Sequence, residues 1–229
     1  MSFLSKTKHS QLSRALNYSF RDNELLETAL SHRSVGRHNN ERLEFLGDSL
    51  LNFFMAECLF AKFPDAREGD LSRLRASLVK GETLAKLASD FNLGEFLQLG
   101  EGELKSGGFR RASILADAVE ALIGAIYLES GMDACRETVL SWFEDRLGTI
   151  TLSTTQKDPK TRLQEYMQEQ HKPLPIYRVE SQEGKAHSPE FKVSCDIGKQ
   201  LPKTFAISTS KRNAEKMAAA EMLERLGVV

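Results

Sequence analysis

Cysteine is scarce in this chain. Its three residues, Cys58, Cys135 and Cys195, lie far apart among 229 and form no Cys-x-x-Cys pair, which excludes a disulfide framework and a cysteine-ligated zinc site. They are expected to be buried free thiols. Long apolar runs are missing too: the densest stretch, Leu50 to Phe60, is interrupted by Glu57 and is shorter than the roughly 20 residues a membrane-spanning helix needs. Met1 to Gln11 lacks the apolar centre and small-residue cleavage site of a secretory signal, so a cytoplasmic protein without a membrane partner is expected. What is present is 41% apolar and 28% charged residues, enough core material for one large or two ordinary domains and too much for a disordered chain.

The net charge of −1 conceals an asymmetry. Residues 1–155 hold 18 Lys and Arg against 22 Asp and Glu, and residues 156–229 hold 13 against 10, so a part at −4 precedes a part at +3. The change falls in the polar stretch Thr149 to Lys160, where apolar periodicity stops and Pro159 closes the interval. We therefore read a first domain over residues 1–150, a linker over 151–158 and a second domain over 159–229. A basic module suits a polyanion; the carboxylates of the acidic part have another task.

Apolar residues at spacings of three and four predict an all-α first domain, with helices near 10–17, 22–30, 40–62, 69–79, 81–91, 113–130 and 133–147 and breaks at 36–39, Pro64 and 100–108. Asn40 is placed to cap the third helix, with Glu41 in its first turn. In Asn40-Glu-Arg-Leu-Glu-Phe-Leu-Gly-Asp-Ser49, Glu41, Glu44 and Asp48 fall within an arc of roughly 60° at about 100° per residue. The rest of that helix is apolar nearly all round and is expected to be buried, with Arg42, the nearest basic residue, pointing elsewhere. A second acidic pair, Asp117 and Glu120, shares a face with Ser113, Ala116, Ala121 and Gly124, small residues that let a partner helix come close. If the faces meet, Glu44, Asp48, Asp117 and Glu120 converge. Oxygen ligands alone at that density call for a hard divalent cation, Mg²⁺ with Mn²⁺ as substitute; otherwise each pair is an exposed polar stripe. Glu68 precedes the next helix and reads as a capping or surface acid, and His32 and His38 as surface or hydrogen-bonded histidines.

The second domain reads as αβββα. A helix over 160–170 turns Leu163, Tyr166 and Met167 to one side, and two-residue alternation marks strands at Tyr177/Val179, Phe191/Val193/Cys195/Ile197 and Phe205/Ile207. A last helix over 210–226 packs Ala219, Met222, Leu223 and Leu226 inward and carries Lys211, Arg212 and Lys216. That basic edge at a helix N-terminus suits phosphate.

These motifs resemble the ribonuclease III family, endonucleases of double-stranded RNA, along essentially the whole chain. The ten residues from Asn40 to Ser49 and the run Asp117-Ala-Val-Glu-Ala-Leu-Ile-Gly-Ala-Ile-Tyr127 are similar to its two acidic motifs. Thr161-Arg-Leu-Gln-Glu165, the loop Gly184-Lys-Ala-His-Ser-Pro-Glu-Phe191 and Ser210-Lys-Arg-Asn-Ala-Glu215 resemble a double-stranded-RNA-binding domain. Ala206-Ile-Ser208 stands where related domains often have a glycine-rich turn. The resemblance implies metal ligation by Glu44, Asp48, Asp117 and Glu120, catalytic roles for Asp48 and Glu120 with Glu41 and Glu68 in the same valley, and RNA contacts from Gln164, Gln168, His187, Lys211, Arg212 and Lys216. It implies Mg²⁺-dependent hydrolysis to 5′-phosphate and 3′-hydroxyl ends, processing of ribosomal and messenger RNA, and no organic cofactor. Two strands and one acidic constellation per chain call for a homodimer, with Phe53 and Phe54 either interface residues or ordinary core. A duplex-binding regulator that does not cut, and a phosphohydrolase of small substrates, are the competing readings.

Overall fold

The computed structural model describes residues 4–152, 158–185, 188–198 and 201–228, with backbone only at 184, 185 and 188. The chain divides into two compact units, Met1–Thr155 and Gln156–Val229. Among the described residues no helix is long and apolar enough to cross a membrane.

The first unit is all helical: α1 (Lys6–Leu16), α2 (Asn23–Leu30), α3 (Glu41–Lys62), α4 (Glu68–Val79), α5 (Gly81–Asp90), α6 (Glu101–Lys105), α7 (Ala112–Trp142) and α8 (Glu144–Thr149), with short 3-10 turns at Arg33–Val35, Leu93–Glu95 and Gly108–Arg110. A glycine-rich break was expected where α6 forms. Gly131, at φ 79° and ψ −176°, interrupts α7 at the junction expected between two helices. Asn40 occupies the cap position of α3, but its side chain makes no capping bond; it is turned inward to donate to the Ala29 carbonyl at 3.4 Å. Asn39 caps instead, its Oδ1 accepting from the Glu41 amide at 3.0 Å.

α3 and α7 form the centre. Leu51, Phe54, Met55 and Leu59 of the one and Val119, Leu122, Ile123 and Ile126 of the other have no exposed surface. The two helices run antiparallel and touch backbone to backbone. A Cβ on Gly47 would lie 1.7 Å from the Glu120 carbonyl oxygen, and one on Gly124 would lie 2.3 Å from that of Leu43. These two glycines set the separation at which α3 and α7 present their acids. Trp142 closes the far end by donating from Nε1 to the Leu16 carbonyl at 2.6 Å.

The expectation that α3 is buried all round fails on one side. Phe45, Phe53 and Phe60 are 78%, 53% and 74% exposed, whereas Phe54 is core. The three lie within an arc of about 80°, an apolar stripe of the kind that marks an interaction surface; Phe54 is one residue, about 100°, past Phe53 and points into the helical core. Cys135 and Cys195 are buried free thiols and Cys58 a half-buried one.

The second unit is α9 (Pro159–Glu169), β1 (Ile176–Lys185), β2 (Ser188–Asp196), β3 (Thr204–Ser208) and α10 (Lys211–Arg225), with an antiparallel sheet in the order β1-β2-β3. Leu163 and Met167 of α9 and Ala218, Ala219, Met222 and Leu223 of α10 close on Cys195 and Ile197. The residues Ala206-Ile-Ser208 belong to β3 rather than to a turn. The alternation of Phe205 and Ile207 marks the strand without assigning its face. They pair with Ser194 and Lys192, and directly opposed residues share a face, so they stand on the outer face, 47% and 55% exposed. Val179 is 41% exposed, beside a bulge in which Glu180 has no opposite residue.

Candidate active site and phosphate-binding edge

Glu44 projects from the first turns of α3 and Asp117 and Glu120 from one face of α7. One carboxylate oxygen from each lies within 4.8 Å of the others, and all three side chains are half-buried. Burial pushes Glu120 up from the ordinary 4.5 to about 8, and the negative charges of Asp48, Asp117 and Glu44 add to the rise. Glu44 is also raised, by burial first and then by Asp117, Glu41 and Asp48, with Arg33 opposing. Asp117 is raised by burial against the pull of His32 and Arg33. Every group acting on Glu120 disfavours its anion. Three clustered oxygen donors short of positive charge are the chemistry a hard divalent cation fits, and Glu44, Asp117 and Glu120 would hold it.

The four expected ligands do not all converge. Asp48 is exposed, and its Oδ1 accepts from Asn52 Nδ2 at 2.9 Å. It sits outside the trio, close enough to be the foremost charge acting on Glu120. Glu41 lies further out, 3.9 Å from the Arg33 guanidinium. Glu68 opens α4 and accepts from Ser72 Oγ at 2.7 Å. His32 is buried, with Nδ1 bonded to Ser34 Oγ at 2.9 Å, and His38 is exposed.

Arg33, rather than Arg42, is the basic residue beside the acids. It belongs to a 3-10 turn with no period to place it, and only the Ser31-His-Arg-Ser34 run just ahead of the acidic motif marks it.

A group whose folded pKa is raised gives stability that is complete below its unfolded value and lost as pH rises through the folded value. For Glu120 that window runs from about 4.5 to about 8. The metal-free protein is therefore expected to melt at progressively lower temperature as pH rises across it. Saturating Mg²⁺ should remove most of the fall in a calorimetric series; an unchanged slope with Mg²⁺ would rule out ligation by these acids.

In the second unit, Gln164 and Gln168 are exposed one turn apart on α9, and Lys211 and Arg212 are exposed at the start of α10. Lys216 was expected on the same open side. Its ammonium instead contacts Asp158 Oδ2 at 2.8 Å, and Asp158 also caps α9 by accepting from the Lys160 amide at 3.0 Å. Glu215 pairs with Lys160 at 2.6 Å. His187 lies outside the described residues.

Comparison with known proteins agrees with both units. Residues 22–147 match the Ribonuclease-III-like family model and residues 159–226 the double-stranded RNA binding motif. The chain is 56% identical to ribonuclease 3 of Hahella chejuensis over 221 residues, 96% of this chain and 98% of that one. It is 58% identical to ribonuclease 3 of Ectopseudomonas mendocina over 219 residues, 96% of each. Among solved structures, the nuclease domain of ribonuclease III from Campylobacter jejuni is 45% identical at a TM-score of 0.59, covering 62% of this chain and 97% of that one. A second structure of that domain, described as flexible in a region involved in dimer formation, is 46% identical at a TM-score of 0.58 and covers 59% and 95%. Matched across nearly its whole length, the chain belongs to the ribonuclease III family.

Proposed function

We propose that the protein is an endoribonuclease that cuts double-stranded RNA by Mg²⁺-dependent hydrolysis, leaving 5′-phosphate and 3′-hydroxyl ends, and that it acts in the cytoplasm on ribosomal precursors and other structured transcripts. The observation that carries this reading is the Glu44, Asp117 and Glu120 trio, three carboxylates within 4.8 Å on apolar helices, in a chain whose second unit matches a double-stranded RNA binding motif. A protein that only grips duplexes gains nothing from gathering acids that repel its ligand.

Glu44, Asp117 and Glu120 hold the metal, with Mn²⁺ as substitute; Asp48, at the rim, completes the set, and Glu41 and Glu68 serve as accessory acids. When bound, Mg²⁺ supplies an activated water and charge neutralisation at the departing 3′ oxygen. The fixed separation of α3 and α7 keeps the ligands in place before substrate arrives. No side chain need act as a covalent nucleophile, and no organic cofactor is required.

A-form RNA buries its base edges in a deep, narrow groove, so recognition rests on backbone shape and 2′-hydroxyls. Gln164, Gln168 and His187 are placed against the minor grooves, and Lys211, Arg212 and Lys216 against phosphates. Cutting both strands takes two sites, hence a homodimer. Phe45 stands exposed on the wall of an open pocket of about 730 Å³ that it lines with Leu25, Leu43, Leu46 and Leu128 and with the charged Arg37, Glu41 and Arg42. A two-fold axis that brings this exposed side of α3 against its copy covers Phe45.

Incubation of the full chain with matched perfect RNA and DNA duplexes, with and without Mg²⁺, tests the proposal. Cleavage of RNA alone, only with metal, by a protein of twice the monomer mass is expected. Intact RNA in Mg²⁺ would leave the duplex-binding regulator.

A further inference from the structure

The 3-10 turn Arg33–Val35 is fixed to a distant part of the first unit. The His32 amide donates to the Gln98 carbonyl at 3.0 Å, and the Gly100 amide donates to Ser34 Oγ at 2.8 Å. Gly100 has no alternative there, because a Cβ would come within 2.5 Å of the Ser34 carbonyl oxygen. Arg33 thus has a fixed root, while its side chain is 71% exposed. Its contact with Glu41, at 3.9 Å and with that side chain 54% exposed, is of a type that contributes little to stability. The guanidinium nevertheless acts on both Glu44 and Asp117. Glu41 and Glu44 lie one turn apart on α3, so a guanidinium 3.9 Å from Glu41 stands at the outer side of the acid trio.

Resting on the endonuclease reading above, we propose that Arg33 contacts substrate: its guanidinium leaves Glu41 to hold a non-bridging oxygen of the RNA phosphate presented to the acid trio. An RNA strand approaching Glu41, Glu44, Asp48, Asp117 and Glu120 meets more negative charge than one divalent ion cancels. A planar group with several aligned donors meets phosphate oxygens in pairs, and unlike a second metal it is permanently in place. His32, the other residue that lowers Asp117, is buried and bonded to Ser34, so it stays out of the strand's reach. The Glu41 contact, long and exposed, is one that phosphate readily displaces.

The test compares wild type, Arg33→Ala and Arg33→Lys as full-length protein, measuring cleavage of a perfect RNA duplex in saturating Mg²⁺ and Mn²⁺ binding to the RNA-free protein. Arg33→Ala is expected to lower kcat/KM about 10- to 100-fold, the range for losing a charge-assisted hydrogen bond, with Arg33→Lys in between. Mn²⁺ should bind the Ala variant as tightly as wild type or a few-fold tighter, because a repelling charge has gone. Loss of activity accompanied by weaker Mn²⁺ binding would make Arg33 a structural prop, and wild-type kcat/KM in the Ala variant would remove it from the site; either overturns the proposal. A wild type that leaves duplex RNA intact would instead refute the endonuclease reading on which it rests.

Discussion

Glu120→Gln is expected to abolish cleavage while making the metal-free protein more stable near neutral pH. Glutamine keeps the shape of the side chain but offers one weaker oxygen ligand. Losing several kcal/mol of metal-centred charge stabilisation corresponds to a fall on the order of a thousandfold in rate, at about 1.36 kcal/mol per decade. Stability moves the other way, because Glu120 is held up at about 8 by burial and by Asp48, Asp117 and Glu44, and the amide has no charge to desolvate. Duplex binding in Ca²⁺, which occupies oxygen sites, should survive. Single-turnover cleavage, melting temperature and a binding titration separate these effects. A variant that cuts normally would take Glu120 out of the mechanism, and one that is inactive and also less stable would point to damage.

Gly47→Ala is expected to cost both fold and activity. Its added methyl would sit 1.7 Å from the Glu120 carbonyl oxygen and 2.6 Å from the carbonyl carbon. Both are backbone, so no rotamer relieves the clash and the helices must part. Overpacking of this kind costs roughly 3 kcal/mol or more, or about 10 °C in a chain of this size. The parting also separates Glu44 from Glu120, so residual activity should be far below what stability loss alone explains. Gly148, with nothing within 4 Å of a built Cβ, is the control: alanine there should be neutral or mildly stabilising. Wild-type melting of the Gly47 variant would mean that the helices do not touch as described.

The acid trio was legible in the sequence because its members repeat at helical spacing on apolar helices, and a carboxylate in such surroundings needs an explanation. The small residues that share a face with Glu120 announced a close neighbour as well. What could not be read was anything set by contact between elements. Arg33 comes to Glu41, at the edge of the acids, from a turn with no period. Asp48 shares a stripe with Glu44, yet one more turn along α3 carries it to the rim. Periodicity shows Phe45, Phe53, Phe54 and Phe60 as apolar without saying which side α7 covers, so interface and core stay open for Phe53 and Phe54 until packing puts Phe54 in the core and leaves Phe53 exposed. Phe205 and Ile207 alternate correctly but face outward, since the register with β2, rather than their own pattern, decides the face.

The Lys216–Asp158 pair has a consequence for how the second unit answers to ionic strength. Binding to nucleic acid weakens with salt in proportion to the phosphates neutralised, because each contact frees a condensed counterion. Lys216 arrives with a carboxylate already attached, so touching phosphate exchanges one anion for another and leaves Asp158 bare beside the polyanion. The domain then holds duplexes with fewer effective charges than its basic residues suggest, which favours ready release once a strand has been cut.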